Sequence, residues 1–479
     1  MNKKLLKTLA TATLLLATAG CAVGPNYKRP LVEVPTNFRA EPASSSASGA
    51  NTGETAAILG DEQWVEIFED ASLQQFVREA LRNNLDLRTA AQRVLEAQAQ
   101  VGITRSQQLP SVNGGAGYSA LQIPSALAGK NSNGSTANSF FNGGGLSASA
   151  AWNLDFWGLY RRQTEATRAE LLATEWAQRA TRSALVGGVA LAYFEMRSLD
   201  AQLEITQSTI KARKESLQLT LALEQHGAAS LADVRQAEEL LHVAQANLPE
   251  LRRQIAVQEN TLSVLLGHNP GTIERGMPVE KQPHPEQIPV GIPSQLLERR
   301  PDIQLAEAKL IAANARIGVA KAQFFPQISL TSLGGSASSQ LESVFAGANA
   351  YWFAAASLTQ PIFDGGRIRN NYRLSVAQQQ EMILAYRNTI LNALKDVSNS
   401  LVTYQETSAR RVELAAQVDS AADAVRLARL RYSGGNTSYL EVLTTDTDLY
   451  SAQLLLAQAQ QQEAFSIVQL YVALGGGWR

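Results

Sequence analysis

Residues that build catalytic and metal centres are scarce in this chain of 479 residues, which has one cysteine, four histidines and four methionines. A single cysteine excludes a disulfide framework and a cysteine-ligated zinc site. The histidines, at 226, 242, 268 and 284, are too far apart for any two to share a helical turn, as a metal pair would. Charge is sparse as well. Asp, Glu, Lys and Arg together make 18%, below the roughly 25% of ordinary soluble domains. The net charge of −1 argues against a nucleic-acid binder. HExxH, GxSxG and a Cys–His pair are all missing. The stretch ending in Gly129-Lys130 has Pro124 where a phosphate loop needs its first glycine. Neither an enzyme nor a cofactor protein is expected. Past the first 20 residues no apolar run is long enough for a transmembrane helix. Any membrane crossing by the mature chain would have to be a β-barrel.

Residues 1–20 read as a secretory signal, with Lys3, Lys4 and Lys7 ahead of a short apolar core from Leu5 to Gly20. The only cysteine, Cys21, follows Thr18-Ala19-Gly20. Small residues there suit the lipoprotein signal peptidase, so Cys21 is expected to become an acylated N-terminus. Thr18 departs from the usual Leu or Val. Ala22 is not the aspartate that retains lipoproteins in the inner membrane, so the outer membrane is the expected destination.

The rest of the chain is one unit written twice. Asp86, Gly102, Gln107 and Pro110 recur at one constant offset as Asp302, Gly318, Gln323 and Pro326. At a second offset, Gly227, Ser230, Asp233 and Val234 recur as Gly435, Ser438, Glu441 and Val442. The expected division is an N-terminal strap over 21–60, a first repeat over 61–267, a linker over 268–293 and a second repeat over 294–479. The linker holds six of the 16 prolines.

Each repeat reads as helix, two strands, long helix, returning helix. The 3.6-residue period predicts a helix over 71–106. Alternation predicts strands at 111–122 and 144–157, then at 327–336 and 350–363, giving hairpins over 111–157 and 327–363. Leu146, Ala148, Ala150 and Trp152 share one face, and Ser147, Ser149 and Asn153 the other. Lys130 is the one charge in 110–154, and Glu342 the one charge in 324–363. Uncharged strands that alternate apolar with polar residues, joined by long polar loops, suit a transmembrane barrel. Two hairpins cannot close one, so several chains are required. Helices predicted over 159–226 and 367–432 would each reach roughly 100 Å. Gly turns lead from them into returning helices over 231–267, with an expected kink at Pro249, and over 438–473. Leu427, Leu430, Leu440 and Leu443 suggest coiled-coil seams. Glu441, Thr444, Thr445 and Asp448 form a polar stripe on one helix face.

The segments CAVGPNYKRP (21–30), RRPDI (299–303), AQFFPQISL (322–330), QPIFDGGRIRNNY (360–372), RYSGGNTSYLEVL (431–443) and ALGGGW (473–478) resemble the outer membrane factor family. These are the TolC-like exit ducts of tripartite efflux pumps, and the likeness is greatest to their lipoprotein branch. The resemblance covers the chain in order. It implies an α+β membrane protein. Three copies would form a 12-stranded transmembrane β-barrel, four strands from each, continued by a long periplasmic α-helical barrel. Residues 22–60 and 268–293 would wrap its waist. The implied partners are two further copies, a periplasmic membrane-fusion adaptor, an inner-membrane resistance–nodulation–division transporter and outer-membrane lipid. Conduction would be passive. Asp233 and Tyr432 match the family's latch at the periplasmic aperture, formed between neighbouring coiled coils, with Arg431 at a commonly basic position. A further basic residue of some relatives falls on Thr437. Glu441 and Asp448 would ring the aperture. The sparse methionines (1, 196, 277 and 382) and histidines disfavour a copper- or silver-dedicated duct. Antibiotics, dyes, solvents and aromatic acids remain open as cargo. Two other readings stay beside the duct. A pore-free coiled-coil adaptor lipoprotein would lack the hairpins, and a surface enzyme would need a polar pocket.

Overall fold

A computed structural model describes residues 22–39, 59, 64–123, 139–282 and 290–478. The signal segment and the proposed acylation site at Cys21 lie outside them. In chain order the elements are α1 (Trp64–Ile67), α2 (Ala71–Asn83), α3 (Leu85–Ser106), β1 (Ser111–Ile123), β2 (Ser139–Leu154), α4 (Leu159–Gln225), α5 (Leu231–Leu265), α6 (Leu296–Arg299), α7 (Pro301–Ala322), β3 (Gln327–Ser338), β4 (Ala350–Thr359), α8 (Arg367–Ser433) and α9 (Tyr439–Ala473). They form two compact units. One takes in residues 1–30, 95–173 and 307–385, the other 31–94, 174–306 and 386–479. Each unit draws on both halves of the chain.

The first unit carries the sheet, with strand order β1-β2-β3-β4 and every neighbour antiparallel. The central pairing, β2 with β3, joins the two repeats. No strand contains Asp, Glu, Lys or Arg. The register sorts the side chains into two faces. Tyr118, Leu146, Trp152, Leu330, Trp352 and Leu358 fall on one. Asn113, Ser149, Asn153, Ser329, Thr331 and Ser357 fall on the other. β1 and β4 are the outer strands, each with one edge unpaired among the described residues.

The strand limits differ from the alternation at three ends, on two strands. β2 begins at Ser139 rather than 144 and ends at Leu154. Beyond that end, Asp155 instead accepts a hydrogen bond from the Arg161 backbone N–H, 2.8 Å away, at the start of α4. β4 stops at Thr359, short of Pro361, which has no N–H to offer a ladder. Asp364 plays the corresponding part for α8, accepting from the Gly366 and Ile368 N–H groups.

Residues 22–30 lie along the same unit. Gly24 has φ +111°, and a Cβ there would stand 2.5 Å from the Gly318 Cα. This approach gives the repeat-matched Gly318 a packing reason. Arg162 donates to the Val23 and Gly24 carbonyls and to Asn26. Arg29 pairs with Glu307 at 2.5 Å.

In the second unit the helix expected over 71–106 divides at Asn84. Its backbone is extended, with φ −57° and ψ 129°. Its Oδ1 accepts from the Leu87 N–H, and its Nδ2 donates to the Leu265 carbonyl. One side chain thus starts the second helix and ties it to α5. α5 continues as one 35-residue helix through Pro249, where a kink is expected.

The linker is buckled by Asp70, 3% exposed. Its Oδ1 caps α2 through the Ser72 and Leu73 N–H groups. Its Oδ2 accepts from the Tyr193 hydroxyl at 2.5 Å, the Met277 N–H at 2.8 Å and Gln282. Burial first, and then Asp70, hold the Tyr193 phenol above its usual range. Nearby, Arg275 pairs with Asp200 and Glu259. Arg300 of the RRPDI segment pairs with Asp302 and Asp396 and donates to the Ala473 carbonyl. The C-terminal glycines turn Trp478 back to donate to the Arg299 carbonyl at 3.1 Å.

Asp70→Ala removes several of these bonds and is expected to cost about 3 kcal/mol. Tyr193→Phe removes one and is expected to cost about 1 kcal/mol. Thermal unfolding of the detergent-solubilised protein checks the order. Because the folded Tyr193 pKa is raised, its contribution is complete below pH ~10 and fades as pH rises through the folded value. Tyr193→Phe should remove that part of the alkaline loss.

Candidate functional site

The two helix–turn–helix tips of the second unit hold all the latch and ring residues that sequence reasoning selects. They are built on the same turn. α4 ends with the Ala228 N–H on the Leu223 carbonyl, and α8 with the Asn436 N–H on the Arg431 carbonyl. Gly227 (φ +74°) and Gly435 (φ +72°) adopt the left-handed conformation this closure requires.

The matched acids Asp233 and Glu441 then diverge. Asp233 closes a capping box: its Oδ2 accepts from the Ser230 N–H at 2.9 Å, while its own N–H donates to the Ser230 hydroxyl at 3.2 Å. The Ser438 side chain makes no such cap. Glu441, one methylene longer, reaches back across the turn instead. It pairs with Arg431 at 2.7 Å and accepts from the Thr437 hydroxyl. Arg431 and Glu441 are therefore partners within one chain, where the sequence reading assigns them to separate devices.

Tyr432 packs its ring on Tyr439, with centroids 5.2 Å apart. Its hydroxyl is buried and has no hydrogen-bond partner among the described residues. Burial, followed by the negative charge of Asp233, raises its pKa. Asp233 thus acts on Tyr432 electrostatically without bonding to it. Asp448 is exposed and makes no ion pair among the described residues. The Thr444 and Thr445 hydroxyls turn back to carbonyls of their own helix. Of the four seam leucines, only Leu443 is buried; Leu427, Leu430 and Leu440 are exposed.

Sequence reasoning missed what joins the two coiled coils above the tips. Arg213 of α4 is 4% exposed at its side chain. It bonds Asp446 of α9 at 2.8 Å and the Leu240 carbonyl of α5 at 2.7 Å. It also lies over the Tyr450 ring. Arg429 of α8 approaches the same Asp446 at 3.3 Å. Four helices meet at this one ion cluster. The Tyr450 hydroxyl continues the contact with Thr206 and Asn247, and the Tyr439 hydroxyl with Ser216. No local pattern around Arg213 announces a partner so distant in sequence. Among the described residues no group of His, Cys, Asp and Glu is placed to hold a metal ion.

Removing Asp446 strands a buried guanidinium, whereas Arg431 and Glu441 sit near solvent. Asp446→Ala is therefore expected to cost about 3 kcal/mol or more, and Arg431→Ala at most about 1 kcal/mol. Chemical unfolding of the two variants side by side checks the ranking.

An uncharged sheet with one apolar and one hydroxyl-bearing face, joined to helices of 67 residues, defines the class of outer-membrane ducts. The chain matches the family described as outer membrane efflux protein over residues 76–268 and 292–476, and it belongs to that family. It is 35% identical over 468 residues to the solvent efflux pump outer membrane protein SrpC of Pseudomonas putida, covering 97% of each chain. It is 34% identical over 467 residues to the cation efflux system protein CusC of Escherichia coli O6:H1, again covering 97% of each. Among solved structures, the open state of the Neisseria gonorrhoeae MtrE outer membrane channel superposes with a TM-score of 0.84 at 30% identity. That match covers 96% of this chain and 99% of the other. A CusC crystal structure gives a TM-score of 0.83 at 31% identity, covering 95% and 100%. The fold is that of outer-membrane efflux channels, and the protein is an outer-membrane component of efflux.

Proposed function

We propose that three copies of this chain assemble into a passive exit duct. The duct would be fed by an inner-membrane resistance–nodulation–division transporter through a periplasmic adaptor. The observation that carries this reading is the sheet itself. Its apolar face suits lipid, its hydroxyl face suits water, and its two open edges can be satisfied in a bilayer only by other strands. Three four-stranded sheets make a 12-strand barrel of the size range that leaves a lumen. The energy comes from the transporter, and the chain itself is not an enzyme. The cargo we favour is organic. Relatives are named for solvent, toluene, antibiotic and cation efflux. The Met- and His-poor composition suits the organic members of that set. Light scattering in detergent should give three chains, and the trimer should conduct in planar bilayers. An electrically silent protein, soluble once Cys21 is replaced, would instead be the pore-free adaptor.

The latch reading gains from the tip geometry. Tyr432 has a buried hydroxyl in want of an acceptor, an arrangement that costs about 1–3 kcal/mol until one arrives. Asp233 of the neighbouring coiled coil, whose charge already reaches Tyr432, would supply that acceptor, since the capping box engages only one carboxylate oxygen. Arg431, already bound to Glu441, steadies the turn that presents Tyr432. In the acidic ring Glu441 is partly neutralised by Arg431, so Asp448 carries more of the field. Tyr432→Phe with Asp233→Ala is expected to raise single-channel conductance and vancomycin sensitivity. Glu441→Gln is expected to lower cation selectivity without comparable opening. Unchanged conductance in the double variant at normal expression would remove the latch.

Cys21 is the proposed acylation site, anchoring the strap to outer-membrane lipid. Radiolabelled palmitate should enter the wild type and not Cys21→Ser. A mature N-terminus other than residue 21 would refute the assignment.

A further inference from the structure

The hydroxyl-bearing face of the sheet is not uniform. Along most of each strand its described side chains are Ser, Thr, Asn, Gly or Ala, and no charge occurs on any strand. Phe353 interrupts this. It pairs across the ladder with Leu333, and two residues away Tyr351 faces Gly335. A Cβ at Gly335 would stand 2.9 Å from the Tyr351 hydroxyl, so the missing side chain lets the phenol lie against the wall. Phe353 is 58% exposed and Tyr351 39%. Leu121 on β1 is the other large apolar side chain described on this face. Trp352, beside Phe353 in sequence, points to the opposite, apolar face.

We propose that Phe353, flanked by Leu333 and Tyr351, is a specificity-determining contact of the passage. It is an apolar aromatic station that favours neutral aromatic solutes and hinders hydrated ions. The inference rests on reading the hydroxyl face as the wall of a duct. A wall of uncharged hydroxyls gives a hydrated ion no fixed charge to bind. An exposed phenyl offers an aromatic solute a stacking partner, and it takes the place of a hydroxyl that would bind the water around an ion. Closure by three copies repeats the station three times around the lumen.

The test uses planar bilayers and the Asp233→Ala/Tyr432→Phe background, with benzyl alcohol as the neutral aromatic probe. Phe353→Ser is expected to raise potassium chloride conductance. It is also expected to weaken block by benzyl alcohol roughly three- to tenfold, the range one aromatic contact supplies. Trp352→Leu should leave the block unchanged. Phe353→Trp keeps the apolar bulk, so it remains informative should the serine variant fail to assemble, and it should deepen the block. Channels that open normally but show the same block in the Phe353 variants, or the same change in Trp352→Leu, would overturn the inference and leave the duct standing. A background that never conducts would overturn both.

Discussion

The backbone at a sheet edge has no substitute for a hydrogen-bond partner once water is gone. The two open edges of β1 and β4 are therefore the constraint from which the sheet's other features follow. An edge that must meet another copy cannot be protected by the usual charges and prolines. The strands accordingly carry no Asp, Glu, Lys or Arg, and Pro361 lies just beyond the end of β4. A surface that faces lipid on one side and water on the other must alternate without slipping, because a one-residue shift would exchange the faces. Close glycine packing between β2 and β3 supports that register. A Cβ at Gly145 would come within 2.8 Å of the Ser336 carbonyl oxygen.

Duplication gives two tips with one backbone and two chemistries. The carboxylate at the third helical position caps its own helix in Asp233 and turns to Arg431 and Thr437 in Glu441. The first tip is thereby closed on itself. The second spends its acid on Arg431 and leaves Tyr432 beside it with an unanswered hydroxyl. The partners decide the difference: Arg431 and Thr437, which hold Glu441, are matched in the first tip by Leu223 and Ala229.

The elements with long periodic patterns were legible from the sequence. The two long helices and their returns lie within a residue or two of expectation, and so do most strand limits, because period and punctuation are local properties. The misses are of two kinds. Asn84 sits in an otherwise good helical pattern, and only its bonds to Leu87 and Leu265 make it a break. Phe140-Phe141-Asn142 does not alternate, so the early start of β2 is hidden. The buckle at Asp70 and the cluster at Arg213 were beyond reach for another reason. Asp70 is readable as a helix cap for Ser72 and Leu73. Nothing in spacing tells that the same carboxylate holds Met277, or that Arg213 meets Asp446. Asp233 and Tyr432 were paired in the sequence only through motif likeness; the repeat marks Asp233 alone, as the match of Glu441.

Helices rich in Ala and Gln pack on small, similar side chains and can slide past one another at little cost. Buried ion pairs add little net stability over apolar residues of the same shape, but they penalise every wrong register. The second unit uses them in that way. Glu463 is fully buried and faces Arg411 at 2.6 Å. Burial and then the Glu463 charge push the Tyr404 phenol up to about 12. Arg213 with Asp446, and Tyr450 with Thr206, fix the turns that follow. Nearer the tips the contact is a neutral hydrogen bond, Ser216 with Tyr439. Beyond it, the Arg431–Glu441 pair is exposed enough to contribute only about 0–1 kcal/mol. Register is therefore enforced along the helices and relaxed at their ends. At the tips the Arg431–Glu441 pair can part without stranding a buried charge.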